Sequence, residues 1–419
     1  MKKIISFILL LSLTVSLAAQ SLETFIAENP LRSAATLHKY ELFDPSDSPA
    51  PEGYEPFYIS HYGRHGSRYH SSTSTTDKVL AKLERADAEG ILTPDGKELL
   101  DVVRRIRQAH EGMDGYLTQV GAAQHQGIAT RMYGNYKQVF SQPDRSVIHA
   151  VSSTSGRCIQ SMANFCTALK AENPALDIEY YSGKKYMSYI SKSFDITYMH
   201  DKKHHICDSI LRAFYDGDRL MSKTFTDAKK ARSIIGSRTF FKSVFDVIGI
   251  EQNLDEELPD MLSKYFTVDE LAAFARSDNA RYFATWCISE EFGDTYVKGV
   301  GGPLLRDFIE KADKAVAGNN YAADLRFGHD SALTPLLALI GFEGYPVMHE
   351  ADAADIWFVG KYICMASNLQ MIFYRNDSGK VLVKFRRNES DTVIPSLKPV
   401  NGCFYEWKPL RKYLLSKVR

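Results

Sequence analysis

Residues 61–70 read His-Tyr-Gly-Arg-His-Gly-Ser-Arg-Tyr-His. Arg64 and Arg68 each carry a planar fork of donors that matches phosphate oxygens. Between them stands His65, followed directly by Gly66. A glycine there lets the backbone turn tightly and approach a bound anion. His65 is then an imidazole held against phosphorus. A lone Arg-His-Gly reads as a solvated basic turn; the longer string, with its second arginine, is what points to an anion.

Two later stretches could complete such a site. Residues 147–151 are apolar apart from His149 and read as a buried strand. A polar turn, Ser152 to Gly156, separates them from a helix-patterned run. Arg157 therefore falls at a helix N-terminus, where the helix dipole and free N–H groups favour an anion. On local pattern alone it fits an exposed surface arginine equally well. Residues 324–327 read as a short strand running into Gly328-His329-Asp330-Ser331, with a helix after them. His329 and Asp330 thus stand where a strand ends and a helix begins, the place at which open α/β sheets bind ligands. By themselves they also fit a core histidine followed by a helix cap.

The elements that must position these residues follow the same pattern. The apolar run 57–60 reads as a buried strand leading into the first motif. Helices are expected over 77–88, over 93–110 with Thr93 as cap and Pro94 in the first turn, and from Thr118 to Tyr136. Residues 21–55 read as an irregular entry segment and 71–76 as a loop. Gly301-Gly302-Pro303 is expected to break a helical pattern, with a new helix after it. Residues 368–374 and 381–385 read as a hairpin joined by Asn376-Asp377-Ser378-Gly379.

The string Arg64-His65-Gly66-Ser67-Arg68-Tyr69 resembles the active-site signature of the histidine acid phosphatases, especially the multiple inositol polyphosphate phosphatase branch. Leu117-Thr118-x-x-Gly121 with Gln124-His125 and Arg131-Met132 resembles the same family, as does Phe385 to Glu389 near the end. The resemblance implies an α/β fold with a mainly parallel central sheet flanked by helices, like that of the phosphoglycerate mutases, and an inserted, mostly helical cap. It implies His65 as nucleophile, Asp330 as proton donor, and Arg64, Arg68, Arg157 and His329 as phosphate ligands, with Ser153 and Arg157 matching a Ser-x-x-x-Arg context. It implies hydrolysis of small phosphate monoesters through a phosphohistidine, with no metal or other cofactor. Inositol polyphosphates including phytate are the expected substrates. The chain departs from the branch at His70, where relatives often carry proline. It departs again at His329-Asp330-Ser331, where the branch has His-Ala-Glu and the phytases and acid phosphatases have His-Asp. The alternatives are a broad acid phosphatase on sugar phosphates or nucleotides, a phosphoryl transferase, and a phosphate-binding protein without catalysis.

Composition sets the outer bounds. A chain of 419 residues with 51 basic and 51 acidic side chains is too long for one simple core and too balanced for a nucleic-acid partner. Any positive site must be a local cluster, which suits a small phosphorylated ligand. Lys2 and Lys3, an apolar run over 4–17, and Ala18-Ala19 read as a signal peptide over 1–19, so a secreted or periplasmic protein is expected. No cysteine follows the run, and no later stretch is apolar enough for stable membrane insertion. The α/β domain is expected over 20–186 and 293–419, with the helical cap over 187–292. His204 and His205 in that region point different ways and lack a spaced carboxylate or second cysteine, so no metal site is read there. The six cysteines leave the disulfide pattern open, and the oligomeric state is equally unspecified.

Overall fold

The computed structural model describes residues 20–236 and 239–418. The leader expected over 1–19 lies outside the described residues. No helix among the described residues is long and apolar enough to cross a membrane.

The centre is one mixed sheet. Its strands are β1 (Tyr54–Arg64), β2 (Val147–Ser152), β3 (Asp177–Ser182), β4 (Tyr321–Gly328), β5 (Asn368–Asn376), β6 (Val381–Arg387), β7 (Ser390–Thr392) and β8 (Phe404–Glu406). They lie in the order β3-β2-β4-β1-β5-β6-β7, with β8 also on β6. The half β3-β2-β4-β1 is parallel; from β5 onward the pairing is antiparallel, including the expected β5–β6 hairpin. Strand β1 is buried continuously from Phe57 to Arg64, as a central strand covered on both faces should be. It therefore runs four residues past the apolar stretch that announced it, and His61 to Arg64 belong to the strand.

Register brings the motifs together. Arg64 pairs with Gly328 across β1 and β4, and Ser152 pairs with Phe327 across β2 and β4. The carboxyl ends of three neighbouring strands thus finish level, and His65, Ser153 and His329 follow them directly. Helix Gly156–Glu172 begins one residue before Arg157, as its spacing predicted. Thr93 and Thr118 cap their helices through their side chains, accepting from Gly96 N and Gly121 N.

Three expectations differ from the structure for identifiable reasons. The entry segment contains a helix, Leu22–Glu28, whose Leu22, Phe25 and Ile26 are buried on one face. Gly301-Gly302-Pro303 does not interrupt its helix, which runs from Thr295 to Ala317 through all three. A Cβ at Gly301 would come within 2.8 Å of Pro335 O, so the small residue serves close packing on helix Asp330–Ile340. The helical layer also draws on more chain than 187–292. One apolar core joins Phe25 and Ile26 with Leu83, Leu99 and Val103 and with Phe241, Phe245, Leu262 and Phe274.

Gly66 has a different purpose from the one its position suggested. Its φ is not positive. A Cβ there would meet Gly121 O at 2.5 Å and Gly121 Cα at 2.8 Å, and one on Gly121 would overlap Ser67 O. The two glycines let the motif loop lie backbone to backbone against helix Gln119–Asn135. Alanine at Gly121 gains up to ~1 kcal/mol of helix propensity. Overpacking against backbone costs ~1–3 kcal/mol. The clash should win, so Gly121→Ala should lower the urea midpoint. Gly134→Ala, in the same helix with open space around it, should hold or raise it. A rise in both would show that the loop yields freely.

Behind the loop, His61 and His125 are buried against Phe165 and Phe327, with ring centroids 5.2–6.4 Å apart. Burial pushes both from an ordinary 6.5 to about 3, and His70 likewise. The unfolded chain takes up protons below 6.5 that the folded chain refuses until about 3. Their contribution to stability is therefore complete above pH 6.5 and falls as pH drops toward 3. Each histidine adds a slope of about 1.4 kcal/mol per pH unit in that window. His61→Gln should make the fall of unfolding free energy between pH 6 and 4 shallower by about one proton. An unchanged slope would mean that His61 protonates within the fold.

Candidate active site

The sequence-predicted site residues cluster at the carboxyl ends of β1, β4 and β2. Arg64 closes β1 and is fully buried. Its Nη1 donates to Thr36 O at 2.8 Å and Ile363 O at 2.9 Å. Its Nη2 lies 2.7 Å from Asp330 Oδ2, an ion pair by distance that is off the line of a hydrogen bond.

His65 is held by its own backbone. Its N–H donates to Gly328 O at 2.9 Å, and its carbonyl accepts from Ala366 N at 3.0 Å. The ring Nδ1 lies 2.9 Å from Gly66 O. A carbonyl only accepts, so Nδ1 carries the proton and Nε2 keeps its lone pair. Among the described residues Nε2 has no hydrogen-bond partner. Burial, then Arg64, Arg68, Arg157 and His329, hold the ring pKa well below its ordinary value. The imidazole is neutral, and Arg64, Arg68 and Arg157 lie near enough to act on its charge.

His329 stands edge-on to His65, with centroids 5.6 Å apart. Arg157 Nη2 is 3.4 Å from its Nδ1, and Ser153 Oγ is 3.1 Å from its Nε2. A guanidinium only donates, so Nδ1 accepts and Nε2–H points to the Ser153 hydroxyl. Burial lowers the His329 pKa, Arg157 lowers it further, and Asp330 partly opposes both. The fold adds a residue that the motifs did not mark: Tyr62 OH accepts the His329 N–H at 3.0 Å and donates to Ile190 O at 2.8 Å. Its strand position next to Gly63 carried no sign of that task.

Asp330 starts the helix after β4 and accepts from Ser331 N at 2.8 Å. Burial pushes its carboxyl up, but Arg64, His329 and Arg68 outweigh that and hold it below the ordinary range. Arg68 donates to Tyr69 O at 2.8 Å, and burial with Arg64 and Arg157 pulls its guanidinium down to about 10. The Nε atoms of Arg64, Arg68 and Arg157 are buried without a hydrogen-bond partner. Three guanidinium groups thus converge with donors unspent and one site carboxylate among them. Such a pocket is built to receive an anion with several acceptor oxygens.

Among the described residues no group of three His, Cys, Asp or Glu side chains is placed to hold a metal ion. All six cysteines are free and buried. Cys158 lies beside the site, its Sγ 3.2 Å from Gly328 O, and burial pushes its thiol up to about 11, which leaves it a neutral packing group.

No family model and no curated relative matches the sequence. Solved structures do. The chain is similar to the multiple inositol polyphosphate phosphatase of Bifidobacterium longum in complex with inositol hexasulfate, at 21% identity, covering 93% of this chain and 98% of that one, with a TM-score of 0.75. It is similar to the phytase from D. castellii at 15% identity, covering 93% and 84%, with a TM-score of 0.69. The apo form of Hafnia alvei phytase matches at 12% identity over 88% and 98%, with a TM-score of 0.54. At these identities the likeness is one of fold, shared with these inositol polyphosphate phosphatase and phytase structures.

Proposed function

We propose that the protein is an exported phosphomonoesterase that hydrolyses small phosphate monoesters, inositol polyphosphates such as phytate among them. The observation that carries this reading is the neutral, unbonded Nε2 of His65 set among three arginines with unspent donors. A binding pocket needs the arginines alone; a nucleophile held in one tautomer has use only in a reaction.

In the first step His65 Nε2 attacks phosphorus. A P–N bond forms, the P–O bond to the alcohol breaks, and Asp330 gives its proton to the departing oxygen. In the second step water attacks the phosphohistidine, Asp330 takes a proton from it, and phosphate and His65 are released. The arginines and His329 hold the equatorial oxygens as charge spreads onto them. Asp330 is a carboxylate before substrate arrives, because Arg64 and His329 overcome its burial. A phosphate dianion among the arginines cancels that field and raises the carboxyl into the donating range.

His65→Ala should abolish turnover yet still bind inorganic phosphate through the arginines. Rapid quench with labelled substrate should give an acid-labile, base-stable phosphoprotein in the wild type only. Residual turnover near wild-type levels would remove His65 from the reaction.

Asp330→Asn keeps size and an acceptor for Ser331 N and loses the proton; His329, not Asp330, stands at the cap position of this helix. General acid catalysis is worth ~10²–10⁴-fold. The variant should lose about that much on phytate or a sugar phosphate, and clearly less on nitrophenyl phosphate, whose leaving group departs nearly unaided. Burst kinetics separate the two steps should dephosphorylation limit the rate. Equal, small losses on both substrates would leave Asp330 only a partner of Arg64 at the helix start.

A further inference from the structure

The loop that carries Arg68 is bonded to the helical layer on both sides of that residue. Ser67 Oγ donates to Asn253 Oδ1 at 2.6 Å, and both residues are fully buried. Two residues on, Tyr69 OH donates to Asp255 Oδ2 at 3.4 Å. The other oxygen of Asp255 accepts from Gln119 N at 2.8 Å and Val120 N at 3.2 Å, the N-terminus of the helix against which the loop packs. Asn253 and Asp255 lie in one short stretch between helices Phe240–Ile248 and Met261–Tyr265.

Asn253 spends both ends of its amide. While Oδ1 takes the Ser67 proton, Nδ2 donates to Leu37 O at 2.6 Å. The neighbouring carbonyl, Thr36 O, is the one that holds Arg64 Nη1. Ser67 is satisfied in turn by Gln124, which donates to its hydroxyl at 2.8 Å and accepts its N–H at 2.9 Å. One buried amide thus joins the loop bearing Arg68 to the turn that seats Arg64. Replacing either partner strands a polar group in a dry place, and such chains of bonds act as a unit.

We infer that Asn253 is a positioning residue for the phosphate pocket, setting Arg68 through the Ser67 hydroxyl and coupling it to Arg64 through the 36–37 turn. The inference rests on the phosphatase reading. Loss of one buried hydrogen bond commonly costs about tenfold in an equilibrium or rate. Asn253→Ala should therefore lower kcat on nitrophenyl phosphate by about tenfold, with a smaller rise in KM, and weaken inhibition by inorganic phosphate. Ser67→Ala, which removes a single oxygen, should do the same and serves where Asn253→Ala does not fold.

The deciding experiment is a double-mutant cycle on the full chain. In an Arg68→Ala background, Ser67→Ala should change kcat less than about twofold, because the group it places is gone, and Asn253→Ala should keep only the part of its loss that passes through Leu37 to Arg64. A full tenfold loss in both backgrounds, or no loss from either variant in the wild type, overturns the inference. Calorimetric titration with inorganic phosphate keeps the two readings apart. Binding lost in Arg68→Ala but unchanged in Asn253→Ala and Ser67→Ala defeats the positioning role alone. Equal binding by the wild type and Arg68→Ala defeats the phosphatase reading and this inference with it.

Discussion

The site depends on a buried cation. Arg64 has no exposure to solvent, and an ion taken out of water costs several kcal/mol unless partners answer its charge. Two carbonyls and one carboxylate do so, from the entry turn, from the residues before β5, and from the helix after β4. Those three stretches are far apart in sequence. They must close on one point for the guanidinium to be tolerated. The level ends of β1 and β4 bring Asp330 to it, and Tyr62, two residues before Arg64 on β1, holds the backbone of His329.

The same burial sets the chemistry of the histidines. Four rings at or behind the loop, those of His61, His65, His70 and His125, are driven toward neutrality chiefly by loss of water. For His65 this keeps a lone pair available. For the others it is a cost that appears only in acid. A pocket that gathers positive charge gains by surrounding itself with rings that refuse a further proton, since each added cation would oppose the three arginines.

The residues that meet at the site were legible in the sequence because they lie in short strings: a histidine between arginines, an arginine at a helix start, a histidine and an aspartate after a strand. The strands and caps that position those strings were legible for the same local reason, as Thr93 and Thr118 illustrate. Partners chosen across the fold were not. A helical period shows that Leu83, Leu99 and Phe245 face inward, but not that they face one another. Gly301 and Pro303 look like a break until the backbone of Pro335 is set beside them. Tyr62 and Asn253 are ordinary residues whose roles arise from neighbours that lie 267 and 186 positions away in the chain.

One positive field is asked to do two opposed things. It keeps His65 unprotonated, which suits a nucleophile, and it keeps Asp330 ionised, which does not suit an acid. Geometry alone cannot resolve this, because both groups sit among the same arginines. The proposed substrate can. A phosphate dianion pairs with the guanidinium groups and removes most of their effect on the carboxyl. His65, whose largest shift comes from burial, keeps that burial when the field is cancelled. Asp330, whose burial already pushes its carboxyl up, is freed to take a proton. On the proposed mechanism the acid is armed by the ligand it is to act on, and without that ligand Asp330 stands paired with Arg64.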